Sequence, residues 1–305
     1  MPVFGLGTWK SPKGEVSKAV TEALRVGYTH VDAAWIYQNE QEVGEGIREA
    51  MKAGAIARDS LFVTSKLWNS FHQPEAVEKG CLESLSALGL DYLDLYLMHW
   101  PIAFKPEKSQ HNSAEDFYSL DELPLSKTFE AMVQLREKGL VKSVGVSNFS
   151  ISKIEKVIAE TGIVPAINQV EMHPYNPQNE LLNYCHEKGM HVTAYSPLGS
   201  SDRPASMKAK DEPPLLENKD VKAIAAKEAL SPAQLMIAWA LDRGTIAIPK
   251  STNAKRIAEN LAAVEHSLSS EARTALDNID IQYRYVSVSD WYIPGVTYEG
   301  ADFWS

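Results

Sequence analysis

Four side chains in the first third of the chain have the types needed for proton chemistry. Asp32 closes the apolar run Tyr28–Asp32, Lys66 closes Leu61–Lys66, His99 follows Leu93–Met98, and Tyr37 lies shortly after Asp32. A phenol titrates near ~10 and is a poor proton carrier at neutrality. A neighbouring ammonium favours the phenolate and lowers that value. Burial tends to discharge a lysine, and a carboxylate beside it keeps it protonated. An imidazole adds a directional hydrogen bond. Together the four could donate a proton to an oxygen on which charge develops. Each residue alone has an ordinary reading. Asp32 could cap a helix, Tyr37 could lie on an amphipathic surface, Lys66 could snorkel, and His99 could be a satisfied core histidine.

The four gain meaning from the elements that must position them. Apolar, β-branched runs at Pro2–Leu6, Tyr28–Asp32, Leu61–Lys66, Leu93–Met98, Lys142–Ser147, Ala166–Glu171, His191–Tyr195 and Thr245–Pro249 alternate with helical patterns. In the first helical segment Val16, Ala19, Val20, Ala23 and Leu24 recur at helical spacing before Gly27. Ser231, Pro232 and Gln234 make a capping-box start. Buried strands separated by helices indicate parallel βαβ units. Further polar residues stand where strands end: Ser147 and Asn148, Gln169, Tyr195 and Lys250. In a (β/α)₈ barrel all these ends share one rim, the rim that carries active sites. An open doubly wound sheet would need G-x-G-x-x-G after its first strand. Gly5-Leu6-Gly7-Thr8-Trp9-Lys10 lacks the third glycine, and Gly44-Glu45-Gly46 sits inside a helical pattern. The closed barrel is therefore expected, as one domain over residues 1–305. Three long segments, about 101–125, 199–217 and 281–305, interrupt the repeat and are expected to be functional rim loops.

The chain carries 30 Lys+Arg against 40 Asp+Glu, a net charge of −10. An acidic surface argues against non-specific binding to nucleic acid or anionic lipid. Cys81 and Cys185 have no metal-ligand spacing and are expected to be two buried thiols. No metal site is expected. The first residues lack a secretory pattern and no long apolar run occurs, so the reading is a cytoplasmic protein without a membrane span. A monomer is expected.

The segments GYTHVDAAWIYQNEQEVGEG, SKLWNS, LDLYLMHWP, VKSVGVSNF, INQVEMHPY, AYSPLGSSDRP and IPKSTNAKRIAEN resemble, in family order and over nearly the whole chain, the aldo-keto reductase family. The stretch SPLGSSDRP looks most like the aldehyde and aldose reductase branch. The resemblance implies NADPH-dependent reduction of aldehydes, and some ketones, by hydride transfer from nicotinamide C4. It implies Tyr37 as general acid, Lys66 and Asp32 as its tuning partners, and His99 as orienter of the carbonyl. Ser147, Asn148 and Gln169 would hold the carboxamide, and Tyr195 would stack on the ring. Thr8, Trp9 and Lys10 fall on the cofactor side. Ser196, Leu198 and Ser200 match the pyrophosphate loop, and Asp202 matches a residue bridging Lys10 and Lys250. Lys250, Ser251, Thr252, Asn253 and Arg256 read as a 2′-phosphate site at a helix start. Glu259 and Asn260 fall near an adenine. Trp9, Trp35, Ile36, Trp68, His99, Trp100 and Phe104 would line an aromatic substrate pocket.

Some features differ from the family pattern. The family usually begins with a β-hairpin that plugs the barrel bottom, whereas this chain starts at Met1-Pro2. Ala205 stands where aldose reductases have Trp, which is expected to open one side of the pocket. No arginine follows Arg284 to hold a substrate carboxylate. The tail WYIPGVTYEGADFWS is expected to fold over the substrate. Two other functional classes stay open. One is a barrel aldolase using Lys66 as a Schiff base. The other is a non-enzymatic role, as in channel subunits or lens proteins of this family.

Overall fold

The computed structural model describes residues 1–106, 108, 111, 113–293, 296–297 and 303–304. Its strands in chain order are β1 (Leu6–Gly7), β2 (His30–Asp32), β3 (Phe62–Leu67), β4 (Leu93–Met98), β5 (Ala103–Phe104), β6 (Phe117–Tyr118), β7 (Val141–Ser147), β8 (Ile167–Glu171), β9 (His191–Tyr195) and β10 (Ile246–Ala247). Eight of them form one parallel sheet in the order β1-β2-β3-β4-β7-β8-β9-β10, while β5 and β6 pair antiparallel. The sheet closes on itself. Ala247 N donates to Val3 O at 3.0 Å, Gly5 N to Ala247 O at 3.0 Å, and Gly7 N to Pro249 O at 3.1 Å. All eight expected strands are present. The first lies at Leu6–Gly7 where Pro2–Leu6 was expected, with Phe4 bridging Ala247 before it, and the second and last are shorter than expected.

The helices are α1 (Val16–Val26), α2 (Glu40–Lys52), α3 (Pro74–Leu88), α4 (Leu125–Glu137), α5 (Ile151–Thr161), α6 (Asn179–Glu187), α7 (Lys219–Lys227), α8 (Pro232–Asp242), α9 (Ala254–Ala262) and α10 (Ser270–Asp277). Helix α1 buries the five apolar residues its spacing predicts and stops at Gly27, whose φ is 114°. Ser231 and Gln234 cap α8 reciprocally, as expected. Gly44 and Gly46 serve helix packing. A Cβ on Gly44 would lie 2.1 Å from Leu88 O of α3, and one on Gly46 would lie 2.5 Å from Ser17 O of α1.

The period of two along each strand divides the core into layers. On β4, Leu95 and Leu97 join Ile167, Ile246 and Phe62 in one cluster, while Tyr96 and Met98 join a separate cluster with the helices. A third apolar cluster sits on the rim and is built mostly from loops. It contains Trp100, Ile102, Phe104, Phe117, Val286 and Phe303. The loop at 101–125 holds the β5–β6 hairpin, and that at 199–217 a short 3₁₀ turn at Ala205–Met207. The segment 281–305 holds a 3₁₀ turn at Ser289–Trp291, and much of the tail lies outside the described residues. Cys81 and Cys185 are buried and unpaired, and burial pushes both thiols up to about 12. Among the described residues no helix is long and apolar enough to cross a membrane, and none form a metal-holding cluster.

Three buried histidines tie stability to pH. Burial pushes His30 down to about 4, His72 to about 3, and His99 well below its usual range. The unfolded chain binds these protons near pH ~6.5, before the folded chain does. Stability is therefore complete above that value and falls with pH below it, by about 1.4 kcal/mol per pH unit for each histidine. The melting temperature is expected to be flat from pH 8 to 7 and to drop steeply by pH 5. His72→Leu should make the drop shallower. Equal slopes for wild type and variant would contradict this account.

Candidate active site

The C-terminal ends of the strands surround a cleft of about 710 Å³. Below it lies a chain of hydrogen bonds. Lys66 Nζ donates to Asp32 Oδ1 at 2.5 Å, to Ala33 O at 2.8 Å and to Tyr37 Oη at 3.4 Å. Gln169 Nε2 reaches across the barrel and donates to Asp32 Oδ2 at 2.8 Å. Asp32 and Tyr37 line the cleft, whereas Lys66 lies beneath its surface. The register explains the meeting. Asp32 pairs with Thr64, so Lys66 stands two residues further along β3, one inward position above. Tyr37 is delivered by a 3₁₀ turn, Trp35–Tyr37, which ends at Gln38 with φ 55°.

The electrostatics differ in one respect from expectation. Burial pushes the Tyr37 phenol well above its usual range, and the Asp32 carboxylate adds to the effect. The Lys66 ammonium does not reverse this. Burial lowers Lys66 itself, against the opposing pull of Asp32. The phenol is thus held firmly as the neutral, proton-bearing form. His99 is neutral because burial lowers it first, followed by the charge of Lys66. Its Nδ1 is buried without a partner. Nε2 is the ring nitrogen left to face the cleft. The His99 ring lies edge-on to Tyr37 with centroids 5.9 Å apart.

The amide-bearing strand ends hold one another. Ser147 Oγ donates to Gln169 O at 2.8 Å, Asn148 Nδ2 donates to His99 O at 2.9 Å, and Tyr195 Oη donates to Asn148 Oδ1 at 2.8 Å. All five residues line the cleft. Thr8 Oγ1 donates to Asp32 O at 2.9 Å. The far part of the cleft is basic. Asp202 bridges Lys10 at 2.8 Å and Lys250 at 2.5 Å, and Lys10 also donates to Ser200 Oγ. These two lysines hold the Asp202 carboxyl down to about 2, although burial opposes them. Trp9 lies under the Lys10 ammonium at 4.1 Å. Ser196, Leu198, Ser251, Thr252, Arg256 and Asn260 complete this part of the lining. The Arg256 guanidinium makes no ion pair among the described residues and stands on the first turn of α9.

Several expected positions do not join the cleft. Trp35 turns away: its Nε1 donates to Glu83 at 2.9 Å and its ring packs on Phe71. Asn253 is used as the cap of α9, accepting from Arg256 N at 3.1 Å. Glu259 points outward to Lys255. Phe104 stands behind the wall, against Trp68 and Trp291. Ala205 is exposed, and Met207 of the same turn lines the cleft instead. Ile36, Trp68, His99 and Trp100 do line it. The lining residues that the sequence reading did not name include Met207, Val286 and Val288, while Trp291 belongs to the tail expected to fold over the substrate. They come from irregular segments, which carry no periodic signal. Neither Arg203 nor Arg284 lines the cleft. Arg203 is buried in its own loop with Glu212, and Arg284 lies over the Trp304 ring at 3.7 Å.

The model of the Aldo/keto reductase family matches residues 3–281. An aldo/keto reductase of Synechocystis is 42% identical over 304 residues, covering 100% of this chain and 93% of the relative. Aldo-keto reductase family 1 member A1 of Mus musculus is 45% identical over 302 residues, with 98% and 90% covered. Among solved structures, a Bombyx mori aldo-keto reductase in complex with NADP has a TM-score of 0.84 at 38% identity, with 95% and 93% covered. The aldose reductase of Schistosoma japonicum has a TM-score of 0.85 at 37% identity, with 95% and 92% covered. With the closed barrel and the strand-end residues in place, these likenesses make the chain a member of the aldo-keto reductase family.

Proposed function

We propose that this chain reduces aldehydes, and some ketones, to alcohols with NADPH, using Tyr37 as general acid. The observation that carries this reading is the buried chain Asp32–Lys66–Tyr37 beside a neutral His99. The donor set of the cleft fits the cofactor. Lys250, Arg256 and the start of α9 suit a 2′-phosphate. Ser147, Asn148 and Gln169 suit a carboxamide, and the Tyr195 ring offers a stacking surface. When bound, NADPH supplies the hydride. Tyr37 gives its proton to the carbonyl oxygen as negative charge grows there, which completes the alcohol. Lys66 then faces the phenolate and stabilises it, and Asp32 keeps Lys66 charged. Neutral His99 donates from Nε2 to the same oxygen and fixes its direction. A Schiff base on Lys66 fits poorly, because Nζ is bonded to Asp32 and Ala33 O beneath the cleft.

Tyr37→Phe removes the proton and keeps the ring. Turnover is expected to fall about 10²- to 10⁴-fold, with NADPH binding by fluorescence titration retained. Near-normal turnover would remove Tyr37 from the role. Arg256→Ala is expected to weaken NADPH by about tenfold or more, the loss of one charge-assisted bond. NADH should be nearly unaffected, and equal weakening of both would contradict a 2′-phosphate site.

The substrate wall is apolar, from Trp9, Trp68, Trp100, Val286, Val288 and Trp291. Among the described residues the cations of the cleft are Lys10, Lys250 and Arg256, all in its basic part. Benzaldehyde-like substrates are therefore expected to exceed uronic acids in kcat/KM. The ranking should be graded, since one methylene in such a pocket is worth only ~1–3 kcal/mol. A panel followed at the NADPH absorbance tests this, and a strong preference for the uronic acid would contradict it.

A further inference from the structure

Glu171 is buried at the end of β8 and does not line the cleft. Its Oε1 accepts from Tyr285 N at 2.6 Å and lies 2.8 Å from His173 Nε2. Its Oε2 accepts from Val286 N at 2.7 Å. One carboxylate thus captures two consecutive backbone N–H groups of a segment 114 and 115 residues later. We infer that Glu171 is a positioning residue that sets substrate selectivity by clasping the C-terminal wall of the cleft to the barrel.

The clasp answers two needs at once. An irregular segment has no strand ladder, so its buried N–H groups must find acceptors elsewhere. A buried carboxylate must collect donors or lose its charge. Burial pushes Glu171 upward, but the His173 hydrogen bond, the nearby Arg284 guanidinium and the Tyr285 N–H hold it below its usual range. Immediately after the clasp, Val286, Ser287, Val288 and Trp291 line the cleft. Immediately before it, Arg284 covers the Trp304 ring, and Trp304 Nε1 donates to Tyr292 Oη at 2.8 Å. Trp291 and Trp304 both pack on Trp100, with centroids 5.6 Å and 6.2 Å apart. Tyr283 N, bonded to Tyr175 O at 2.9 Å, and Tyr285 Oη, donating to Pro213 O at 2.6 Å, also tie this segment down. The aromatic wall therefore takes its position from a residue that touches no substrate. Glu171→Gln breaks the clasp, because an amide nitrogen would face a backbone N–H. Glu171→Asp keeps the charge on a stem shorter by one methylene.

The effect on selectivity rests on the proposed carbonyl reduction, whereas amide exchange tests the clasp without it. In the wild type, the Tyr285 and Val286 amides are expected to exchange more slowly than those of Ser287 and Val288. Exchange at the neighbours' rate overturns the clasp whatever the activity, and this decides the matter even if neither variant folds. In folded Glu171→Gln, the two amides should lose protection. The kcat/KM ratio of a bulky aromatic to a small aliphatic aldehyde should change about tenfold, mainly through KM. kcat for the small aldehyde and NADPH affinity should stay within about twofold. Glu171→Asp should recover part of the ratio. An unchanged ratio with lost protection, or an equal kcat loss on both substrates, overturns the proposal. A wild type that reduces no carbonyl would sink the proposed function, and the exchange pattern would still decide the clasp.

Discussion

The buried ion pair of Lys66 and Asp32 is the constraint on which the site depends. Both side chains are almost fully excluded from solvent. An ammonium in such a place is costly unless it is paired and hydrogen-bonded. Here it has a carboxylate, a backbone carbonyl and a phenol around it. The second carboxylate oxygen is held by Gln169, from a strand on the other side of the barrel. Removing one partner would leave the other as an uncompensated buried charge, a loss of about 3–5 kcal/mol by analogy with other buried pairs. Apolar residues of similar size would be an easier way to fill this space. The pair makes sense as a device that holds the Lys66 amine next to Tyr37.

The cleft rim is also where the backbone is least relaxed. Lys10, Gln38, Asn148, Ser196 and Ser200 all have positive φ without being glycine. Each lines the cleft or adjoins a residue that does. Such conformations persist when surrounding contacts over-determine them. The contacts are visible: Asn148 is bonded to His99 O and Tyr195 Oη, and Lys10 to Ser200 and Asp202. Strand ends on a closed sheet have little freedom. Loops attached to them take on the strain and carry the apolar wall.

How much of this was legible in the sequence depended on periodicity. Strand and helix patterns predicted the barrel, and strand ends predicted Asp32, Lys66, His99 and Gln169 as neighbours. Proximity to a motif was less reliable. Trp35 is two residues from Tyr37, but a 3₁₀ turn sends successive side chains in different directions, and Trp35 goes to Glu83. Glu259 and Asn260 are adjacent on α9, and only Asn260 faces the cleft. The direction of the Tyr37 shift was also missed. Type and spacing bring a lysine near a phenol, but they do not say that burial and Asp32 outweigh it. Glu171 stood in a quoted motif without a role, since its partners are backbone N–H groups more than a hundred residues away.

Asp32 and Glu171 show how one physical rule yields two kinds of function. Both are buried carboxylates at strand ends on the same rim. Each must gather donors because the interior does not solvate it. Asp32 gathers an ammonium and an amide, side chains from the scaffold itself, and so joins the proposed proton-handling chain. Glu171 gathers two backbone N–H groups from a loop, and so becomes an attachment point. The separation has a consequence for how the wall can vary. A change in the C-terminal segment reaches Asp32, Lys66 and Tyr37 through Glu171 and the strand that bears it, and also through Trp291, whose ring packs on Trp68 beside His99. The proposed acid keeps its scaffold partner Lys66, itself paired with Asp32, while the wall changes shape, provided that two N–H groups still meet one carboxylate.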